Sequence, residues 1–195
     1  MSRSKRLVFA SNNKNKLNEV SAIMGPGFPV SGLGSLGFEG DIPEPFDTLK
    51  DNALAKARFV YRNYKCDCFA DDTGLEVEAL GGLPGVRSAR YAGTDQDSLA
   101  NVRKLLGELE DREDRRAWFR TIIALILDGR EYIFEGMVSG KITANQRGSS
   151  GFGYDPVFVP EGYSETFAEM DPEVKNQISH RRAALKKLAE FLKTQ

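Results

Sequence analysis

The sequence predicts a mixed α/β fold, and three observations carry that reading. Residues 6–10 (RLVFA) form a β-rich run that passes at once into helical periodicity. Residues 48–64 repeat apolar side chains at helical spacing behind a capping box formed by Thr48 and Asp51. Residues 117–127 and 131–142 are long β runs joined by Asp128-Gly129, a pair favoured in tight hairpin turns. Helices and strands are thus interleaved with at least one antiparallel hairpin, which is not a plain βαβ repeat.

Taken in order, residues 16–24 place Leu17, Val20, Ile23 and Met24 on one helical side after the first strand. Residues 25–44 are rich in Gly and Pro and read as loop, with room for one short strand. The helix over 48–64 presents Leu49, Ala53, Ala57, Val60 and Tyr64 to a core. Residues 66–70 then read as a buried strand that ends at Asp71-Asp72-Thr73-Gly74. A helix over 97–109 follows a second capping box (Thr94, Asp97), and a charge-rich connection leads into the long hairpin. That hairpin is long enough to reach between two lobes. A short strand at 156–159 precedes a last helix that starts near Ser179 and turns Ala184, Leu185 and Leu188 inward. No repeat, low-complexity linker or composition break divides the chain, so one domain over 1–195 is expected.

Composition narrows the function. At 41% hydrophobic and 28% charged residues the chain can bury a core and is not disordered by composition. Lys+Arg 27 against Asp+Glu 28 argues against a sequence-independent grip on a nucleic acid polymer, which needs a net basic face. The longest apolar run, residues 122–127, is too short to cross a bilayer, and the N-terminus lacks the apolar stretch of a secretory signal. A soluble, cytoplasmic protein with no membrane partner is the expectation. Cys66 and Cys68 are badly spaced for a disulfide and too few for a zinc site with the single His180. They read as ordinary thiols in a reducing compartment.

Several motifs point to chemistry. Residues 32–37 match G-x-G-x-x-G, but Pro29 before them and Pro43 after them leave no strand-to-helix context for a dinucleotide. The run Ser11, Asn12, Asn13, Lys14, Asn15, Lys16 is better placed. It joins a strand end to a helix start, where free N–H groups and the helix dipole favour an anion such as phosphate. A polar turn with two solvated lysines is the other reading. Adjacent carboxylates at Asp71-Asp72 repel each other unless cations or donors neutralise them. Glu44, Asp47 and Asp51 could approach the same point, and an all-oxygen donor set suits Mg²⁺. A capping Asp beside a solvent-facing Asp is the plainer alternative. The Gly-rich loop around Phe152, Gly153, Tyr154 and Asp155 displays two aromatics on which a nucleobase could stack, unless both are core anchors. Lys175, His180 and Arg181 concentrate donors where the last helix opens, which an anionic or carbonyl-bearing ligand would explain.

Taken together, the stretches FASNNKNKLNEV, DNALAKA, ADDTGLEVEALGGLPGVRSARYAG, GFGYDPVFVPEGYSETFAEM and KNQISHRRAALKKL resemble the inosine triphosphate pyrophosphatase family. The resemblance covers essentially the whole chain. It implies an elongated two-lobed α/β molecule: a long central mixed β-sheet flanked by helices, with an active-site cleft between the lobes. It also implies Mg²⁺ as cofactor, a homodimer, and hydrolysis of non-canonical purine nucleoside triphosphates to monophosphate and pyrophosphate. By position, Ser11 to Lys16 would hold the phosphates, and Asp72 would act as metal ligand and general base with Thr73 beside it on the substrate. Glu44 would be an upstream metal carboxylate. Phe152, Gly153, Tyr154 and Asp155, joined by Lys175, His180 and Arg181, would cradle the base. Two departures from the family pattern are Gln146-Arg147-Gly148 for Pro-Arg-Gly and Thr73 for the commoner Ser. A pyrophosphatase for modified pyrimidine or canonical nucleotides and a non-catalytic nucleotide binder are the competing readings. The aromatic loop disfavours the first, and the carboxylate cluster disfavours the second.

Overall fold

The computed structural model describes residues 7–195; Arg6, the expected start of the first strand, lies outside them. Seven strands, β1 (Leu7–Phe9), β2 (Val30–Gly32), β3 (Cys68–Val77), β4 (Pro84–Gly85), β5 (Arg116–Leu127), β6 (Arg130–Ile142) and β7 (Phe158–Pro160), form one sheet. Their order is β2-β1-β3-β5-β6-β7, with β4 pairing β3 off that path. β1 runs parallel to β2 and β3, whereas β3–β4 and β6–β7 are antiparallel, so the sheet is mixed. The helices are α1 (Lys14–Met24), α2 (Leu49–Tyr64), α3 (Ser98–Glu108), α4 (Pro172–Ile178) and α5 (His180–Leu192). Among the described residues no helix is long and apolar enough to cross a membrane.

Local chemistry sets most of the boundaries. The Asn13 side chain accepts the Lys16 N–H, so α1 begins at Lys14 and all of Lys14, Asn15 and Lys16 lie in its first turn. At α2 the expected capping box is present: Thr48 Oγ1 accepts the Asp51 N–H at 3.0 Å and donates to the Asp51 carboxylate at 2.6 Å. At α3 the second box is not. Asp97 alone caps that helix, accepting from the Leu99 and Ala100 N–H groups, while the Thr94 hydroxyl turns to Asp95. Asp128 (φ 48°) and Gly129 (φ 77°) make the two-residue turn between β5 and β6, both in the left-handed region such a turn needs. Residues 33–36 form a 3₁₀ turn closed by Gly37, and no α-helix opens from the G-x-G-x-x-G run.

Two elements differ from expectation. β3 does not end at Asp71 but runs on through Asp72, Thr73 and Gly74 to Val77. The last helix does not begin among Lys175 and its neighbours. Ser179 is extended (φ −70°, ψ 154°) and separates α4 from α5, so Lys175 sits in the last turn of α4. A cation is favourable at a helix C-terminus, so Lys175 suits its place, whereas His180 and Arg181 stand in the first turn of α5. Residues 155–157 likewise form a 3₁₀ turn, so β7 starts at Phe158.

Contacts divide the chain into two units. The first comprises residues 7–72, 121–136 and 181–195; the second comprises residues 73–120 and 137–180. The first unit buries Phe9, Phe69, Ile123 and Leu125 against Val20 and Met24 of α1 and Leu185 and Leu188 of α5. The Phe9 and Phe69 rings stack at 5.0 Å. In the second unit Leu75, Val102, Leu105, Phe119, Phe158 and Phe167 form the core, with Phe119 edge-on to Phe158 at 4.7 Å.

Gly74 is where backbones approach most closely beside the carboxylate pair. A Cβ there would lie 2.5 Å from the Gly85 carbonyl oxygen, in the β3–β4 pairing. Neither backbone can yield without breaking that pairing. Gly74→Ala is therefore expected to cost about 1–3 kcal/mol by equilibrium urea unfolding. A loss below about 0.5 kcal/mol, the level of an ordinary surface change, would show that the close approach is not rigid.

Candidate active site

β3 is buried along almost its whole length, yet its centre carries Asp71 and Asp72, 2% and 7% exposed. Successive strand side chains leave on opposite faces, so adjacent carboxylates here diverge. Asp71 shares its face with Phe69, toward α1 and α5. Asp72 shares its face with Cys68, whose thiol reaches the Ala57 carbonyl of α2 at 3.2 Å. The repulsion expected from adjacent acids is thereby reduced, and each acid meets its own cations.

On the first face, Asp71 accepts from Lys16 Nζ at 2.9 Å and from Arg181 Nη2 and Nε at 3.1 and 3.2 Å. Arg181 also binds Glu19 of α1. Burial by itself would raise the Asp71 pKa, but Lys16, Arg181 and Lys56 overturn that and hold the carboxyl well below the usual range. Asp71 is thus a fixed anion. The buried guanidinium of Arg181 thus pairs with two carboxylates, one on β3 and one on α1.

On the second face, Lys56 of α2 joins Glu44 and lies 3.4 Å from Asp72 Oδ1. Burial disfavours the Lys56 charge, but Asp72, Glu44 and Asp71 more than restore it. Burial is also the largest influence on Asp72. Lys56 and Lys16 oppose it, Glu44 and Asp71 reinforce it, and the carboxyl is pushed up to about 6. Its second oxygen, Oδ2, is buried without a hydrogen-bond partner among the described residues. Of the other acids expected near this point, Asp51 is used in the α2 cap and Asp47 is exposed.

These residues fit a hard divalent cation. Glu44 and Asp72 converge on one cation, Lys56, and Asp72 keeps an unsatisfied buried oxygen, which is the donor chemistry Mg²⁺ takes with few carboxylates. No group of three His, Cys, Asp or Glu side chains that could hold a metal occurs among the described residues. A site of this type would complete its shell with substrate oxygens and water.

The Ser11-to-Lys16 turn lies at the C-terminal end of β1. Ser11 Oγ accepts the Asn13 N–H, and the Asn12 amide donates to the Phe38 and Gly40 carbonyls at 3.2 and 2.7 Å. Lys14 and Asn15 are exposed. Asn12, Asn13 and Ser11 therefore shape the turn, and Lys16 carries a charge to Asp71.

The remaining expected residues lie in the second unit. Asp155 Oδ2 accepts the Phe152 N–H at 2.8 Å and Lys175 Nζ at 2.6 Å. The Lys175 ammonium sits 5.2 Å from the Phe152 ring centroid and 5.7 Å from that of Phe167. Gly151 (φ 77°) makes this possible, since a Cβ there would be 2.1 Å from Asp155 Oδ2. Tyr154 does not stand exposed. It is buried and donates its hydroxyl to the Ser88 carbonyl at 2.8 Å, whereas Phe152 is half-buried. His180 is buried with its ring stacked on Phe119 at 4.6 Å. Thr73 is half-buried on β3, next to Asp72.

Lys56, Glu19 and Asn52 were not among the residues singled out from the sequence. Lys56 had a readable signal: it lies on the apolar stripe of α2 with Ala53, Ala57 and Val60, where a lysine needs a buried partner. Glu19 had none, because its partner Arg181 is 162 residues away.

The model of the Ham1 family matches residues 7–191. A dITP/XTP pyrophosphatase of Porphyromonas gingivalis is 55% identical over 188 residues, covering 96% of this chain and 97% of that protein. One from Flavobacterium johnsoniae is 48% identical over 187 residues, with 96% and 97% covered. The solved Ham1 protein of Staphylococcus aureus superposes with a TM-score of 0.88 at 41% identity, over 97% of this chain and 99% of that one.

The raised pKa of Asp72 has a consequence for stability. The folded chain holds this proton more tightly than the unfolded chain, so the contribution is full below pH about 4 and is lost as pH rises through about 6. Asp72→Asn, with Lys56 still paired to Glu44, is expected to be more stable than wild type at pH 7.5 in chelator. The gain should be on the order of 1–3 kcal/mol and vanish near pH 4. A variant no more stable than wild type at pH 7.5 by chemical denaturation would contradict the assignment.

Proposed function

The chain belongs to the Ham1 family, and from that membership we propose that it hydrolyses non-canonical purine nucleoside triphosphates, dITP and XTP among them, to the monophosphate and pyrophosphate. The observation that carries this reading is Asp72: a buried carboxylate with one oxygen unsatisfied, beside Glu44 and a lysine, at the centre of the sheet. A binding module has no use for an acid kept in that state. A carboxyl titrating near 6 suits a group that must accept a proton at neutral pH.

Mg²⁺ is the proposed cofactor, held by Asp72 and Glu44; when bound it would offset charge on the departing pyrophosphate. Water adds at phosphorus, the α–β anhydride bond breaks, and Asp72 orients that water and takes its proton. Lys14, Asn15, Lys16 and the N–H groups of the first α1 turn, shaped by Ser11, Asn12 and Asn13, bind the phosphates, with Thr73 beside Asp72 on the substrate. Lys56 holds the two carboxylates, and Arg181 fixes Asp71 behind them.

Base recognition is assigned to the second unit: Phe152 stacks, Lys175 and the backbone near Ser179 donate to a 6-oxo group, and His180 shapes the wall with Gly153. Asp155 aims Lys175, and Tyr154 anchors the loop. Adenine offers an amino donor at position six and would face Lys175 donor to donor. The free thiols of Cys66 and Cys68 support a reducing, cytoplasmic setting, with burial pushing Cys68 up to about 12. The family match over nearly the full chain supports one functional domain. A homodimer, and no nucleic acid polymer as partner, complete the proposal.

Steady-state turnover with Mg²⁺, read as pyrophosphate release, tests both parts. Asp72→Asn should lower kcat by about 10²–10⁴-fold, and retention of more than about a tenth of wild-type kcat, under about 1.4 kcal/mol, would remove it from the mechanism. Inosine and xanthosine triphosphates should be good substrates, GTP poor and ATP poorest, since a site built to donate to a carbonyl rejects the wrong partner by about 10⁴–10⁵-fold. ATP and inosine triphosphate within about tenfold in kcat/KM would favour a general pyrophosphatase instead.

A further inference from the structure

Glu44 lies in an irregular stretch between Pro43 and Pro45, with no strand or helix of its own to hold it. One buried side chain grips the backbone of that stretch. Asn52 of α2, 1% exposed, accepts the Phe46 N–H through Oδ1 and donates from Nδ2 to the Phe46 carbonyl, both at 3.0 Å. A primary amide pairing with both backbone groups of one residue is the closest side-chain mimic of a strand partner, and it sets position and orientation together. Asn52 and Lys56 are four residues apart on one helix, so they share a face. The first grips the backbone two residues after Glu44, and the second grips the Glu44 carboxylate and reaches Asp72.

We infer that Asn52 is the positioning residue for Glu44: by clamping Phe46 it holds the Glu44 carboxylate toward Asp72, and so sets the affinity of that pair for a divalent cation. Asn52 itself touches neither metal nor substrate. The Phe46 side chain is 48% exposed, so the backbone of that residue, and not its ring, is what the clamp uses. This rests on the proposal that Glu44 and Asp72 take the metal.

The test measures Mn²⁺ binding to the protein without nucleotide, from loss of the free-ion electron paramagnetic resonance signal. Asn52→Ala and Asn52→Gln, the latter filling the space but unable to pair at the same depth, should each weaken Mn²⁺ binding by about tenfold, the loss seen when groups that orient metal ligands are removed. Phe46→Ala should leave it unchanged. In turnover, the Mg²⁺ concentration for half-maximal rate should rise by a similar factor for the Asn52 variants, with kcat at saturating Mg²⁺ little altered. A merely structural Asn52 would lower the melting temperature and leave the metal affinity of the folded fraction alone. Mn²⁺ affinity within about twofold of wild type in either folded Asn52 variant would overturn the inference, as would failure of both to fold. If Glu44→Gln itself left Mn²⁺ affinity unchanged, the metal role of Glu44 would fail instead.

Discussion

Two adjacent carboxylates in the middle of a buried strand are the constraint around which the first unit is organised. Removing an ionised carboxylate from water costs several kcal/mol unless charges and hydrogen bonds replace the lost hydration. Strand geometry turns Asp71 and Asp72 to opposite faces, so the helices on each face must supply cations separately. α1 brings Lys16, α5 brings Arg181, and α2 brings Lys56. Each of these helices has an apolar stripe that seats it on the sheet, and each directs one buried or half-buried cation at the strand.

The two faces reach different electrostatic ends. Asp71 has two direct cationic partners and stays ionised; its removal would leave Arg181 and Lys16 facing each other across a buried space. Asp72 has a more distant partner, shares it with Glu44, and keeps one oxygen unpaired. Burial therefore wins at Asp72 and loses at Asp71. Such a divergence of neighbouring titratable groups is the pattern expected where one acid is structural and the other reacts. Stability is given up at Asp72, and the surrounding pairs hold the strained arrangement in place.

The second unit applies the same economy to a loop. Glycines at 148, 151 and 153, all at positive φ, let the chain turn tightly, and three polar contacts then remove its freedom. Asp155 binds the Phe152 amide and Lys175, while Tyr154 ties the loop to Ser88, whose own hydroxyl accepts the Leu75 N–H and donates to the Gly85 carbonyl. Phe152 and the Lys175 ammonium are thus held beside one another by Asp155.

Much of this was legible from residue order alone. Periodicity found α1, α2, α3 and the β5–β6 hairpin, because burial on one face and the Asp128-Gly129 turn are local properties. Motif content singled out Ser11 to Lys16, Asp72, Glu44 and the Phe152 loop as candidates, since donors, acids and aromatics advertise their chemistry wherever they stand, and the fold brings Glu44 and Asp72 to one lysine. The sequence could not show that β3 continues through Asp71 and Asp72. Local rules end a strand at paired acids, and only cations arriving from residues 16, 56 and 181 make the continuation stable. Nor could it show that Tyr154 is an anchor, that Arg181 is taken by Glu19 and Asp71, or that Asn52 clamps Phe46. Each of these depends on which groups meet in space, and a charge or hydroxyl has no fixed role until its partner is known. Residue order determined which chemistry was present; tertiary packing decided which acid is closely ion-paired and which keeps a buried oxygen without a hydrogen-bond partner.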